Sequence, residues 1–173
     1  SLNLKNKLKL IGGKNLLSPK GLETRPTTSR VRESIRNILR ERVSKCNWLD
    51  LCSGSGVMSC EALQMGARRV LAVELNKVTA SICKSNLIST ASELVNPFHL
   101  EVICNEVGKI LKKGCKNNSL EFIKKFPAED FRFDFVYIDP PYRSNLYSII
   151  LENLLIGNWL RKDAIAICEH STK

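Results

Sequence analysis

An apolar strand that runs straight into a glycine-bearing turn and then a helix constrains this chain more than any other feature. Trp48-Leu49-Asp50-Leu51-Cys52 reads as the strand, Ser53-Gly54-Ser55-Gly56 as the turn, and about 56–65 as the helix. The pattern then repeats. Strands are expected at 69–75 (RVLAVEL), 98–104 (FHLEVIC), 133–139 (FDFVYID) and 164–170 (AIAICEH). Helices are expected over about 77–90, 105–113 and 145–155, with a short amphipathic piece at LEFIKKF. Strands alternating with helices of this size make a parallel sheet with helices on both faces. The expected fold class is therefore α/β, a Rossmann-like core with a mostly parallel sheet.

The region before this core has a different character. Residues 8–17, LKLIGGKNLL, pair two apolar runs around Gly12-Gly13, a hairpin-like signal. Residues 18–28 are rich in Ser, Pro, Gly and Thr and read as a loop. A helix is expected from about 29 to 43, with Ser29 as N-cap and Val31, Ile35, Ile38 and Leu39 on one face. Charge separates the two parts. Residues 1–45 carry 12 Lys and Arg against 3 Asp and Glu, a net of +9, while residues 46–173 carry 15 against 14, a net of +1. The expected organisation is a basic hairpin-and-helix extension over 1–45 and a near-neutral core over 46–173. A basic appendage on a neutral body fits a polyanion, in particular nucleic acid.

Several classes are set aside at this level. No apolar run approaches the roughly 18 residues that would cross a membrane. The basic N-terminus has no apolar segment after it, so no secretory signal is read. Seven cysteines stand at 46, 52, 60, 83, 104, 115 and 168, and no pair has C-x-x-C spacing. They read as buried thiols of a cytoplasmic protein, and no metal is expected. His99 and His170 have no partner pattern. Trp48 and Trp159 read as packing residues, and the lysines at 112, 113, 116, 124 and 125 as a solvated loop.

The chemistry is carried by two motifs. In the first, glycines at 54 and 56 let the backbone pass close to a ligand where a side chain would clash. The second strand ends in Glu74, 18 residues after Gly56, an acid placed to accept from both hydroxyls of a ribose. The dinucleotide fingerprint needs a third glycine, and position 59 is Ser. Asp50 also precedes the turn, where a carboxylate suits the ammonium of a methionine moiety and not a pyrophosphate. This favours S-adenosylmethionine over NAD. The second motif, Asp139-Pro140-Pro141-Tyr142, ends the fourth strand. Ligands in open α/β sheets bind at the carboxyl ends of strands, so it faces the same crevice. The prolines fix φ and remove two N–H donors. The Asp139 carboxylate and the Pro140 carbonyl can each accept one hydrogen of an exocyclic amine, which aims the nitrogen lone pair at a methyl donor. Tyr142 offers a flat face for a base to stack on.

Taken in order, LDLCSGSG, VELN and DFVYIDPPY resemble the amino-methyltransferases of the class I S-adenosylmethionine-dependent fold. Leu10-Ile11-Gly12-Gly13-Lys14 followed by Arg25-Pro26-Thr27-Thr28-Ser29-Arg30-Val31-Arg32-Glu33 resembles the RsmD family of bacterial small-subunit rRNA guanine-N2 methyltransferases. The likeness covers about residues 8–173. It implies that Asp50, Ser53, Gly54 and Gly56 hold the methionine end, that Glu74 binds the ribose with Asn76 nearby, and that Asn105 meets the adenine amine. It implies that Asp139, Pro140, Pro141 and Tyr142 hold the guanine. Lys14, Arg25, Thr27, Arg30 and Arg32 would belong to the RNA-facing entrance. The implied partner is small-subunit rRNA or an assembling subunit, met by a monomer. Position 105 is Asn where many methyltransferases of this class have Asp. The family pattern also continues past strand five with two further strands, so the core of this chain is expected to be cut short there. Two other readings use the same residues: an adenine-N6 DNA methyltransferase, and an RNA-binding module without catalysis.

Overall fold

The computed structural model describes residues 8–19, 28–95, 97–116, 121–125, 131–139 and 145–169. Five parallel strands form one sheet: β1 (Asn47–Leu51), β2 (Arg69–Glu74), β3 (His99–Cys104), β4 (Phe133–Ile138) and β5 (Leu160–Cys168). Their order across the sheet is β3-β2-β1-β4-β5. The helices are α1 (Ser29–Leu39), α2 (Val57–Gln64), α3 (Lys77–Ser92), α4 (Val107–Lys112), the single turn α5 (Glu121–Lys124) and α6 (Asn145–Ile156).

The central strand explains the layering. All five residues of β1 are buried, as a strand covered on both faces requires. Alternation sends Trp48 to one side, where it joins Val70, Ala72, Phe135 and Tyr137 and packs against α2 and α3. Leu49 and Leu51 point the other way, into a cluster with Val136, Ile138, Ile110, Leu111, Ile150 and Leu154 from β4, α4 and α6. Both tryptophans are packing residues. Trp48 stacks on Phe135 and Trp159 on Phe133, and the Trp159 indole N–H donates to the Leu111 carbonyl at 3.1 Å.

Three expectations shift by a few residues. The N-cap of α1 is Thr28, whose hydroxyl accepts from the Val31 N–H, and Ser29 is already helical. The helix stops at Leu39, short of 43. Strand five starts at Leu160, before the apolar run at 164. Leu160 pairs with Phe133 and Ile165 with Phe135, so the polar residues between are taken up in an irregularity of the ladder. Arg161 there lies 3.5 Å from Asp134.

The hairpin signal is met by one antiparallel bridge, Lys9 to Asn15, closed by a turn in which Gly13 has φ +96°. Leu8, Leu10 and Leu16 join the same hydrophobic cluster as Trp48. Buried polar groups hold this segment down. The Arg32 guanidinium donates to the Lys9 carbonyl at 2.6 Å and lies 3.9 Å from the Glu61 carboxylate, which accepts the Ile11 N–H at 3.1 Å. Arg32 is 5% exposed and Glu61 1%. Burial pushes the Glu61 carboxyl up, opposed by the Ile11 N–H and by the charges of Arg32 and Arg36.

Removing one member of such a pair strands the other. Glu61→Ala is expected to cost about 3 kcal/mol, read as a lowered urea midpoint at unchanged slope.

Candidate active site

The strand order reverses at β1, since β2 and β3 lie to one side and β4 and β5 to the other. Open α/β sheets bind ligands in the crevice at such a switch point. Leu51 pairs with Val73 and with Ile138, so three strand ends meet there and project Cys52, Glu74 and Asp139 into one region.

The turn after β1 is built around positive φ. Cys52 at +62° is a non-glycine residue in the left-handed region, a conformation that costs about 1–3 kcal/mol and collects at functional sites. The Ser53 N–H then donates to the Val73 carbonyl at 2.9 Å, and the Gly56 N–H to the Ser53 carbonyl at 2.9 Å. Gly54 has φ +56°, and a Cβ there would meet only open space. At Gly56, φ +83°, an added Cβ would lie 2.7 Å from the Cys83 sulfur. Close packing therefore demands glycine at 56, whereas Gly54 leaves an open surface above the turn.

Three carboxylates, Asp50, Glu74 and Asp139, converge on this turn, and a fourth, Glu169, stands beside Asp139. Asp50 is 1% exposed; one oxygen accepts from the Ser59 hydroxyl, and Oδ1 has no hydrogen-bond partner among the described residues. Burial pushes Asp50 up to about 7 against the Ser59 hydrogen bond, and the charges of Asp139 and Glu74 add to the rise. Glu74 accepts the Gly54 N–H at 3.1 Å and the Asn76 N–H at 2.6 Å. Half-buried Asp139 is raised to about 7 by desolvation and by the neighbouring Glu169 carboxyl. Glu169 is fixed at the end of β5. Its N–H donates to the Ile138 carbonyl at 3.2 Å, the Tyr137 hydroxyl donates to its carboxylate, and the Tyr147 hydroxyl to its carbonyl. Burial and the charges of Asp50, Glu74 and Asp139 push Cys52 up to about 12, so it is a neutral thiol and no nucleophile at neutral pH.

The remaining expected cofactor residues lie at the same end of the sheet. Asn76 caps α3 by accepting the Thr79 N–H at 3.0 Å. The Asn105 N–H donates to the Glu74 carbonyl at 3.2 Å, and its side-chain oxygen accepts the Glu106 N–H at 2.7 Å. Ser53 donates to Cys83 at 3.5 Å. Of the RNA-facing set, Lys14 is paired with Glu93 at 2.6 Å, Arg30 is exposed on α1, and Arg32 points inward. Pro140, Pro141, Tyr142, Arg25 and Thr27 lie outside the described residues. Sequence reasoning passed over Cys52, Ser59 and Glu169. Glu169 was within reach, because it directly follows an apolar strand and so obeys the rule that singled out Glu74 and Asp139.

Residues 9–173 match the family model described as "Conserved hypothetical protein 95", the RsmD family. The chain belongs to this family. Ribosomal RNA small subunit methyltransferase D of Haemophilus influenzae is 32% identical over 96% of this chain and 80% of its own length. The protein of the same name from Escherichia coli is 26% identical over 94% and 74%. The crystal structure of a candidate methylase from Haemophilus influenzae superposes with a TM-score of 0.67 at 26% identity, over 97% of this chain and 85% of that one. The candidate methyltransferase yhhF of Escherichia coli reaches 0.74 at 26%, over 94% and 80%. The fold of this RsmD-family chain is thus that of a Rossmann-like methyltransferase. Among its described residues, no group of three or more His, Cys, Asp or Glu is arranged to hold a metal ion, and no helix is long and apolar enough to cross a membrane.

Gly56→Ala is expected to destabilise the fold by about 3 kcal/mol, part backbone strain and part the clash with Cys83. A double-mutant cycle read by denaturant unfolding checks this: the penalty should shrink, without vanishing, in a Cys83→Ala background.

Proposed function

We propose that this protein transfers a methyl group from S-adenosylmethionine to the exocyclic N2 amine of a guanine in small-subunit ribosomal RNA. The observation that carries the reading is the convergence of Asp50, Glu74 and Asp139 on a glycine turn at the switch point of the sheet. A crevice lined by acids suits a cationic ligand and repels a pyrophosphate. S-adenosylmethionine carries an ammonium and a sulfonium, and the residues fit it. The buried Asp50 Oδ1 without a partner can take a donor, Glu74 holds the turn and retains lone pairs for ribose hydroxyls, and Gly54 leaves room for a close approach. Bound there, S-adenosylmethionine would supply an electrophilic methyl group.

The chain's own residues act on the amine. The Asp139 carboxylate accepts one amine hydrogen and takes the proton that the nitrogen sheds as it gains the methyl group. Accepting that hydrogen also localises the nitrogen lone pair for attack. In the sequence reading, the Pro140 carbonyl accepts the second hydrogen and Tyr142 stacks on the base, which must leave its helical stack to be reached. Catalysis is positioning and hydrogen-bond acceptance, with no covalent enzyme adduct. The choice of RNA rests on the relatives named ribosomal RNA small subunit methyltransferase D and on the net charge of +9 over residues 1–45. The protein would work as a cytoplasmic monomer on rRNA or an assembling subunit.

Three outcomes are expected. RNA from undermethylated subunits, incubated with the protein and S-adenosylmethionine and then digested, should yield N2-methylguanosine; N6-methyladenosine would overturn the choice of base. Asp139→Ala should slow this reaction by about 10²–10³-fold while S-adenosylhomocysteine affinity stays within about threefold. The third outcome concerns pH. Asp139 is raised to about 7 and can take the amine proton only when ionised, so kcat/KM should climb with pH and level off above that value. Asp139→Asn, which accepts through an amide oxygen and does not titrate, should remove the inflection from the pH–rate profile. Its persistence would assign the titration to another group and sink this role for Asp139.

A further inference from the structure

Asn86 sits on α3, is 2% exposed, and lies outside every motif used above. Its side-chain amide makes three hydrogen bonds to two distant stretches of chain. Oδ1 accepts the Leu17 N–H at 2.8 Å, while Nδ2 donates to the Leu17 carbonyl at 3.0 Å and to the Ser55 carbonyl at 2.8 Å. Both amide hydrogens are thereby used. Leu17 belongs to the basic N-terminal segment. Ser55 stands between the two glycines of the turn after β1. One side chain thus holds the segment and the turn at once, and satisfies both backbone groups of Leu17 as a neighbouring strand would.

We infer that Asn86 is a positioning residue that couples the N-terminal segment to the cofactor turn, so that RNA engagement and cofactor binding strengthen one another. The inference rests on the proposed function for the identity of the two ligands. Its geometric basis is independent of that reading. The Ser55 carbonyl accepts from the same Nδ2 that donates to the Leu17 carbonyl, so a shift of Leu17 is felt at Ser55. A second tie runs parallel: the Ile11 N–H is held by Glu61 on α2, the helix that Gly56 opens. The segment also reaches the far end of α3 through Lys14 and Glu93. A polyanion that restrains residues 8–19 therefore restrains the turn, and a ligand seated on the turn restrains the segment. By linkage, the factor by which one ligand tightens the other is the same in both directions.

Asparagine is the residue this task requires. Alanine removes all three bonds. Aspartate keeps an acceptor for the Leu17 N–H but sets a carboxylate oxygen against the carbonyls of Leu17 and Ser55, so it releases the turn while holding part of the segment. That makes Asn86→Asp the more telling variant and Asn86→Ala its companion.

The test uses the full chain in two arms. In the first, hydrogen exchange of peptides covering residues 8–19 is followed with and without S-adenosylhomocysteine; the wild type should exchange more slowly there when it is bound. In the second, S-adenosylhomocysteine affinity is titrated with and without RNA extracted from undermethylated small subunits. RNA should tighten it about fivefold or more in the wild type. In Asn86→Asp the tightening by RNA should fall to about twofold or less, the remainder carried by the Ile11–Glu61 and Lys14–Glu93 ties, and the response of exchange over 8–19 should shrink with it. A merely structural loosening would weaken both affinities and leave their ratio intact, and that result would overturn the coupling. So would an unresponsive segment in wild-type protein that binds S-adenosylhomocysteine. Absence of any S-adenosylhomocysteine binding to the wild type would instead overturn the proposed function, and the coupling with it.

Discussion

The carboxylate of Asp50 is held out of water because β1 is paired on both sides, and the candidate site is organised around that burial. A charge in such a place loses several kcal/mol of hydration, which pairing must offset. Here one oxygen has the Ser59 hydroxyl and the other has no partner among the described residues. The register shows how the strain of charge spreads. Asp50 lies opposite Ala72 on one side and Tyr137 on the other. The Tyr137 hydroxyl reaches Glu169, and Glu169 in turn raises Asp139. Neighbouring strands therefore bring the acids into one field, and the region is poised for positive charge. The fold cannot move one of these groups without disturbing the ladder that carries the others.

The N-terminal segment has two roles that its charge does not separate. Much of its basic character faces solvent, as Arg30 does on α1. Arg32 is turned inward and spent on the Lys9 carbonyl and the Glu61 carboxylate. Together with Leu8, Leu10 and Leu16 in the cluster around Trp48, these bonds make the segment part of the packed body. An appendage held this tightly can transmit what it touches, which a floppy basic tail could not.

Much of the fold was legible in the sequence. The run Trp48–Cys52, with no polar residue but Asp50 inside it, reads as a strand covered on both faces, and the repeated spacing of strand and helix left little besides a parallel sheet. Boundaries were less legible. Thr28 and Ser29 are both good caps, and only the backbone conformation selects Thr28. Leu160 begins β5 across a polar stretch, because Phe133 and Trp159 bury the start of the strand before the apolar run arrives. In the site, Gly54, Gly56, Glu74 and Asp139 could be named because each follows a strand. Arg32 could not be told from Arg30 by type or spacing, since the difference lies in which side of α1 meets Glu61.

The sequence by itself determined the α/β class, the glycine turn and the acids at the strand ends, because these depend on residue type and on the two-residue and 3.6-residue periods of local structure. It also marked the first quarter of the chain as basic. Only the tertiary structure decided that Glu169 joins Asp139, that Arg32 is buried, and that Asn86 ties Leu17 to Ser55. Each of these rests on contacts between residues 23 to 69 positions apart in sequence. Local periodicity cannot encode such a contact. It exists because the parallel sheet stacks distant strand ends side by side and the helices close over them.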